Sequence, residues 1–214
     1  MSPAATAEQD RIARTISRED LANLPIRRYE GRICVVATPE ELEEARSDLQ
    51  SETLVGLDTE TRPAFKKGES HLPCLVQVAT ARAVYLFQLR RTEVFPVLAG
   101  LLSDSRIIKA GISLKDDLRA LKQVFAFSEQ NMLDLGTVAR SGGLGQTGVR
   151  NLAGILLGFR IPKGTKTSNW AVHELSPAQI AYAATDAWAC RELYLRFEDL
   201  GILRAKPTAP TGEL

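Results

Sequence analysis

Histidine and cysteine are scarce in this chain of 214 residues. The two histidines, His71 and His173, are too few for a histidine-rich metal site. A bound metal would therefore need carboxylate ligands, which favour hard cations such as Mg²⁺ or Mn²⁺. The three cysteines, Cys34, Cys74 and Cys190, lie far apart and lack the paired spacing of a zinc site, so we expect reduced, mostly buried thiols.

The sequence also lacks a long apolar run and an excess of charge of either sign. No run approaches the roughly 18 apolar residues of a membrane helix, and the polar N-terminus has no signal-peptide core. We therefore expect a cytoplasmic protein without a membrane partner. The net charge of +1 neither demands nor excludes a nucleic-acid partner, so that question depends on local basic clusters.

The overall composition, with 44% hydrophobic and 25% charged residues, is typical of a globular protein. This length is sufficient for one domain with a substantial core. We predict a partly disordered N-terminal extension at residues 1–28, one continuous domain at 29–203, and a flexible tail at 204–214.

Apolar patterning predicts an α/β fold. Short apolar runs predict strands at residues 33–37, 54–58, 75–79, 84–87 and 107–110. Helical spacing predicts helices at residues 94–102, 114–125, 135–139, 149–157 and 177–200, and a short helix is expected within residues 12–24. Strands that come first as a meander and then alternate with helices predict a mixed sheet, part antiparallel and part parallel, flanked by helices.

Two carboxylates follow the second apolar run. Because strand side chains alternate, Asp58 and Glu60 project from the same face, about 7 Å apart. By itself this pair is equally typical of a strand that ends in a polar turn.

An aspartate also interrupts the apolar stripe of a predicted helix. Leu114, Leu118 and Leu121 mark that stripe, and Asp117 falls inside it whereas Asp116 does not. An ionised aspartate that faces a core costs several kcal/mol unless it is paired or bound to a metal. Asp117 is therefore the neighbour that needs an explanation.

The last predicted helix has the same anomaly. Asp186 lies within its apolar face, and Tyr182 projects from the same side one turn earlier. The alternative is that Asp186 pairs with a buried arginine and that Tyr182 is a core residue.

Four carboxylates on three core elements repel one another, and about two divalent cations would neutralise them. Two metals are what an in-line phosphoryl displacement requires. Free tyrosine has a pKa near 10, so Tyr182 is a poor base, although it can orient an attacking water.

Three ordered motifs resemble those of the DEDD exonucleases of the tyrosine (DEDDy) type. They are residues 57–61 (LDTET), 109–118 (KAGISLKDDL) and 182–186 (YAATD). Supporting runs are found at residues 75–79, 84–87 and 168–170. The resemblance spans residues 32–203 and is closest to the Werner-type exonuclease domain and to ribonuclease D.

The resemblance implies a ribonuclease H-like fold and 3′-to-5′ hydrolysis that releases nucleoside 5′-monophosphates. It implies that Asp58, Glu60, Asp117 and Asp186 bind two divalent cations, Mg²⁺ or Mn²⁺, and that Tyr182 is catalytic with them. Glu60 would also approach the terminal 3′-hydroxyl.

Other features of the sequence show how closely the chain follows the family pattern. Thr61 is expected near the terminal nucleotide through its backbone. Ser113 stands where relatives often carry asparagine, which we treat as a matter of substrate preference. Ala181 occupies the position of the histidine that defines the histidine subgroup. Only 28 residues follow Asp186, which predicts a module without a fused helicase or accessory domain.

Basic residues near the motifs are candidate phosphate contacts. Arg62, Lys66 and Lys67 follow the first carboxylates, and Lys163 and Lys166 precede Trp170. Solvated surface charge is the alternative interpretation for both clusters. We expect Trp170 to be a packing residue, and Asp134 to cap the helix that follows it.

The sequence leaves other functions open. A nucleic-acid-binding module without chemistry would not need the intact carboxylate set. A small-molecule phosphatase starting at Asp58 would commonly carry a second aspartate at position 60. The Werner-type resemblance slightly favours DNA as the substrate. The alternative is a ribonuclease D-like enzyme that processes RNA 3′ ends. No motif in the sequence indicates contacts that distinguish ribose from deoxyribose.

Overall fold

A computed structural model of the protein describes residues 12–64, 66, 68–164 and 168–204. The helices are α1 (Arg18–Asn23), α2 (Pro39–Gln50), α3 (Phe95–Ser103), α4 (Leu114–Leu121), α5 (Leu135–Ser141), α6 (Val149–Leu152) and α7 (Pro177–Asp199). The strands are β1 (Arg32–Val35), β2 (Leu54–Thr61), β3 (Pro73–Ala79), β4 (Ala83–Gln88), β5 (Ile108–Gly111) and β6 (Met132–Asp134). Short 3₁₀ turns occupy Thr92–Val94 and Ile202–Arg204, and a π turn occupies Ala153–Leu157.

The six strands form one mixed sheet in the order β1-β4-β3-β2-β5-β6. β3 runs antiparallel to β2 and β4, whereas β1 and β4, β2 and β5, and β5 and β6 are parallel pairs. The predicted α/β class, with a mixed sheet flanked by helices, is confirmed.

Two elements were missed, and one predicted helix is shorter than expected. α2 begins with a capping box in which Thr38 and Glu41 bind each other's main-chain N–H groups. The prediction of this region relied on apolar spacing alone and did not consider that start signal. β6 has three residues, too few for alternation to be visible. α4 ends at Leu121, four residues before the predicted end.

The sheet separates two apolar layers. On one face, β2 residues Val55 and Leu57 pack into a core with Ala45 of α2, Leu98 of α3 and Leu118 of α4. On the other face, the long helix α7 packs against β2, β3, β4 and β5. α7 thus crosses the centre of the sheet, on the face toward which Asp58 projects.

α7 begins as the sequence predicts. The Ser176 hydroxyl accepts from the Gln179 N–H, the Gln179 side chain binds back to the Ser176 N–H, and Pro177 occupies the first turn. The helix has 23 residues, so Tyr182 and Asp186 lie well inside it, where the backbone is rigid.

The segment that precedes β1 is bound to the rest of the fold. The Ile16 N–H donates to Gln146 Oε1 at 3.0 Å, the Tyr29 N–H donates to Thr185 Oγ1 at 3.1 Å, and Ile26 forms a parallel bridge with Arg160. The domain limits at residues 29 and 203 stay predictions, and residues 1–11 and 205–214 lie outside the described residues. No helix in the described part of the chain combines the length and apolar composition needed to span a bilayer.

Candidate active site

Three carboxylates converge where α7 crosses β2. Asp58 and Glu60 project from alternate positions of β2 and are half-buried, and Asp186 projects from α7 and is 5% exposed. One carboxylate oxygen of each lies within 4.8 Å of those of the other two. The strand periodicity and the helical phase thus bring two separate motifs to one point.

Burial raises the pKa of each of these carboxyls, and repulsion by neighbouring carboxylates raises those of Asp58 and Glu60 further. The pKa of Asp58 lies well above its ordinary value because of desolvation and the charges of Asp186, Glu60 and Asp117. Desolvation and the charges of Asp186 and Asp117 raise the pKa of Glu60 to about 8. Desolvation raises the pKa of Asp186 to about 6, with partial offset from the Tyr182 hydroxyl and the charge of Arg150. Without a counter-charge these carboxyls therefore keep their protons to higher pH than solvent-exposed carboxyls do.

Asp117 lies beside this cluster and outside its 4.8 Å limit. It is half-buried on α4, whereas its neighbour Asp116 is exposed, as the helical phase predicts. Burial raises the pKa of Asp117 to about 6. Its charge in turn acts on Asp58 and Glu60, so the four acids form one electrostatic group.

The loop before α4 determines where Asp117 lies. Asp134 caps α5 by accepting from the Thr137 N–H at 2.9 Å, as expected, and its other oxygen accepts from the Leu114 N–H at 3.0 Å. Ser113 adopts a left-handed conformation with φ of 60°, which asparagine adopts more readily than serine. The asparagine that the resemblance led us to expect at this position would therefore fit the same backbone.

Tyr182 closes one side of the cluster. Its ring packs against Trp170 with a centroid distance of 6.0 Å, and Trp170 is buried, as its expected packing role requires. Burial and the charges of Asp186, Glu60 and Asp58 raise the pKa of the Tyr182 phenol. The hydroxyl therefore stays protonated and acts as a hydrogen-bond donor.

The donor set fits a divalent cation. Asp186 Oδ1 is buried and has no hydrogen-bond partner among the described residues. A buried, unpaired carboxylate oxygen that faces two further carboxylates costs free energy unless a cation neutralises it. An all-oxygen set of this kind suits Mg²⁺ or Mn²⁺ better than Zn²⁺.

The carboxylates line a cleft of about 260 Å³ together with Tyr182, Val149 and Cys190. A second cavity of about 480 Å³ shares Glu60 and Tyr182 with the cleft and extends along Thr61. We call it the Thr61 cavity. Burial, followed by the neighbouring carboxylates, raises the pKa of the Cys190 thiol, which makes it unreactive.

The predicted basic residues do not all reach this region. Arg62 lines the Thr61 cavity and contacts His71 Nδ1 at 3.2 Å. Lys66 is exposed and does not line the Thr61 cavity. Lys163 lines two other cavities. Lys67 and Lys166 lie outside the described residues.

Two residues near the site were missed from the sequence. Arg150 acts electrostatically on Asp186, and its position follows from packing of α6 that no periodicity indicates. Gln77 lies directly opposite Asp58 in the β2–β3 register and is fully buried, with both amide atoms unpaired among the described residues. A polar side chain in the middle of an apolar strand was the available signal.

Comparison with known proteins identifies relatives of this chain. A family model described as 3′-5′ exonuclease matches residues 33–201. A 3′-5′ exonuclease of Arabidopsis thaliana is 30% identical over 203 residues, which cover 86% of this chain and 70% of that protein. A ribonuclease D of Gluconacetobacter diazotrophicus is 31% identical over 164 residues, which cover 75% of this chain and 41% of that protein.

Solved structures show the same fold. The Nibbler EXO domain of Aedes aegypti superposes with a TM-score of 0.71 at 22% identity, covering 85% of this chain and 94% of that one. The predicted ribonuclease H-like fold is thereby confirmed. The predicted resemblance to ribonuclease D and to the Werner-type exonuclease domain is confirmed by the sequence relatives.

Proposed function

The chain belongs to the 3′-5′ exonuclease family, and on that basis we propose that it removes nucleotides one at a time from the 3′ end of a nucleic acid. The products would be nucleoside 5′-monophosphates. The observation that carries the proposal is the convergence of Asp58, Glu60 and Asp186 within 4.8 Å, with an unpaired buried oxygen on Asp186.

We assign cation binding to Asp58, Glu60 and Asp186, with Asp117 completing the set. Two divalent cations held by these residues would supply an acidic bound water and positive charge beside the leaving oxygen of an in-line displacement. The four carboxylates supply the negative charge that holds the cations. Their burial keeps competing water away and strengthens their electrostatic field.

Tyr182 contributes a fixed hydrogen-bond donor. Its protonated hydroxyl, held by the packing of the ring on Trp170, can orient the attacking water toward phosphorus without accepting the proton. The rigid interior of α7 keeps this hydroxyl one helical turn from Asp186, which supports a role in positioning.

The terminal nucleotide would occupy the Thr61 cavity. Glu60 lines both this cavity and the cleft, so it can approach the terminal 3′-hydroxyl while also holding a cation. Thr61 and Arg62 also line this cavity. Lys66, Lys67, Lys163 and Lys166 stay candidate phosphate contacts.

Whether the substrate is DNA or RNA is a separate question from the reaction itself. The DNA preference inferred from the sequence stays a prediction. The relative named ribonuclease D favours RNA as the second candidate. A panel of single-stranded DNA, single-stranded RNA and recessed duplexes, each with Mg²⁺ and with Mn²⁺, separates the two.

The test is stepwise shortening of an oligonucleotide labelled at its 5′ end. We expect a ladder of products with Mg²⁺ or Mn²⁺, none with a chelator, and none with Asp186→Ala. Internal cuts, or persistent shortening by Asp186→Ala, would contradict the assignment. Binding without hydrolysis by the wild type would instead indicate a binding module that does no chemistry.

A further inference from the structure

A second groove opens beside the cleft and carries a concentrated positive charge. It has a volume of about 570 Å³ and lies between α1 and α6. Arg18, Arg150, Arg160 and Lys163 line it, and no aspartate or glutamate does. We call it the basic groove. Among the described residues, none of these four side chains forms an ion pair.

Two of the guanidinium groups are held in place by the main chain. Arg150 donates through Nε to the Ile161 carbonyl oxygen at 3.3 Å, and Arg160 donates through Nε to the Leu24 carbonyl oxygen at 3.2 Å. These bonds use the inner nitrogen of each group and leave the terminal nitrogens for an anion. A guanidinium oriented in this way is suited to phosphate oxygens.

The basic groove adjoins the cleft that holds the carboxylates, and it does so through a different residue from those that join the cleft to the Thr61 cavity. Val149 lines both the groove and the cleft, and the neighbouring Arg150 acts electrostatically on Asp186. Glu60 and Tyr182 join the cleft to the Thr61 cavity instead. The cleft that holds the carboxylates therefore adjoins both the cavity that would hold the terminal nucleotide and the basic groove.

From this arrangement we propose that the basic groove binds the backbone phosphates of the nucleotides on the 5′ side of the scissile bond. The inference rests on the proposed function. The strand would run from the Thr61 cavity, past the carboxylates, and into the groove. Contacts of this kind are independent of sequence and depend on salt.

One wall of the groove comes from a segment outside the family match. Arg18, Leu21 and Ala22 belong to α1, whereas the matched residues are 33–201. α1 is kept there by the docking of the segment around it, through Ile16 to Gln146 and through the Pro25 carbonyl to the Arg160 N–H. This wall of the groove therefore lies outside the residues that the family model matches.

The experiment compares a short and a long substrate. A dinucleotide without a 5′ phosphate has no phosphate on the 5′ side of its scissile bond, whereas an octanucleotide has several. We would measure kcat/KM for both, as DNA and as RNA, across a salt series by release of monophosphate. The variants are Arg18→Glu and Lys163→Glu. The control is Arg46→Glu, which reverses an exposed charge on α2, across the sheet from the groove.

We expect each groove variant to lower kcat/KM for the octanucleotide by about fivefold and to make its logarithmic salt dependence shallower by about 0.7 per lost contact. For Arg18→Glu, kcat/KM for the dinucleotide should change less than twofold, and Arg46→Glu should affect neither substrate. Unchanged octanucleotide kinetics in both groove variants, or an equal loss on both substrates in Arg18→Glu, overturns the proposal.

That result is distinct from failure of the proposed function, which would appear as no hydrolysis of any substrate by the wild type. In that case, fluorescence anisotropy with the octanucleotide still tests the groove. Weaker binding by Arg18→Glu and Lys163→Glu would support it, and wild-type affinity would overturn it. Melting temperatures of the variants show whether each one folds.

Discussion

A Cβ atom at Gly56 would lie 2.0 Å from the main-chain carbonyl oxygen of Ala187. That distance is too short for two non-bonded atoms, so α7 can lie this close to β2 only because position 56 is glycine. It lets the helix lie directly on the strand two residues before Asp58, so that Asp186 reaches the same point from the other element. The geometry of the carboxylate cluster therefore depends on the absence of a side chain at position 56.

Gly56→Ala should damage both stability and activity. The atoms that the new methyl group meets are main-chain atoms, Ala187 O at 2.0 Å and Arg191 N at 2.8 Å, so α7 has to move as a unit. We expect a loss of about 2–3 kcal/mol in the free energy of unfolding and a fall in kcat of at least tenfold.

The matched control is Gly100→Ala in α3, where a Cβ meets nothing within 4 Å. That change should stabilise the protein by about 0.5–1 kcal/mol and leave the rate unchanged, because alanine is the better helix former. Urea unfolding and oligonucleotide hydrolysis measure both effects. Equal tolerance of alanine at the two glycines would contradict the importance of the close approach.

Asp186→Asn should abolish hydrolysis and yet stabilise the metal-free protein. Burial and neighbouring carboxylates make the charge of Asp186 unfavourable without a cation, so a neutral amide relieves the repulsion. We expect a gain of about 1–2 kcal/mol in the metal-free form. The increase in melting temperature on adding Mg²⁺ should be smaller than in the wild type.

The control for that change is Asp116→Asn, which removes an exposed carboxylate on α4 that pairs with Arg119. Exposed pairs contribute little, so its stability, Mg²⁺ response and activity should stay close to those of the wild type. Lower metal-free stability of Asp186→Asn, together with a full Mg²⁺ response, would separate Asp186 from the cation site.

The sequence predicted those parts of the site that depend on local periodicity. Strand alternation gave the common face of Asp58 and Glu60, and helical phase distinguished half-buried Asp117 from exposed Asp116. Each of these depends only on residues within one element. The class of the sheet followed in the same way from the order of apolar runs.

Features that depend on packing between elements could not be predicted from the sequence. Arg150 reaches the neighbourhood of Asp186 because α6 packs beside α7, and α1 forms a wall of the basic groove because its flanking residues bind distant loops. The significance of Gly56 also appears only when a second element is placed on it. These relationships have no period along the chain.

Tyr182→Phe should slow hydrolysis without abolishing it. The variant loses the hydroxyl that orients the water but keeps the ring packed on Trp170 and all four carboxylates. We expect a fall in kcat of about 10- to 100-fold with little change in KM. The matched control is Tyr194→Phe, a buried tyrosine on the same helix and away from the cleft, which should leave kcat unchanged. Wild-type kinetics for Tyr182→Phe would remove the tyrosine from the mechanism.

Lys109 makes the stability of the protein depend on pH in a way that does not involve Asp58, Glu60, Asp117 or Asp186. Its side chain is fully buried in β5, and its ammonium group donates to the Asp104 carbonyl oxygen at 2.7 Å. Burial lowers its pKa from 10.5 to about 8, with partial offset from the charge of Asp104. Between these two values the unfolded chain binds more protons than the folded one, so the free energy of unfolding rises with pH in that window.

Lys109→Met should lose this rise. Relative to the variant, the wild type should gain about 2 kcal/mol in the free energy of unfolding between pH 7.5 and 10. Most of the difference should arise above pH 8, because below the folded pKa the lysine is protonated in both states. Lys115→Met, at an exposed position of α4, should show no such divergence from the wild type. Urea unfolding across that pH range measures all three proteins, and parallel curves for wild type and Lys109→Met would show that the buried ammonium keeps its ordinary pKa.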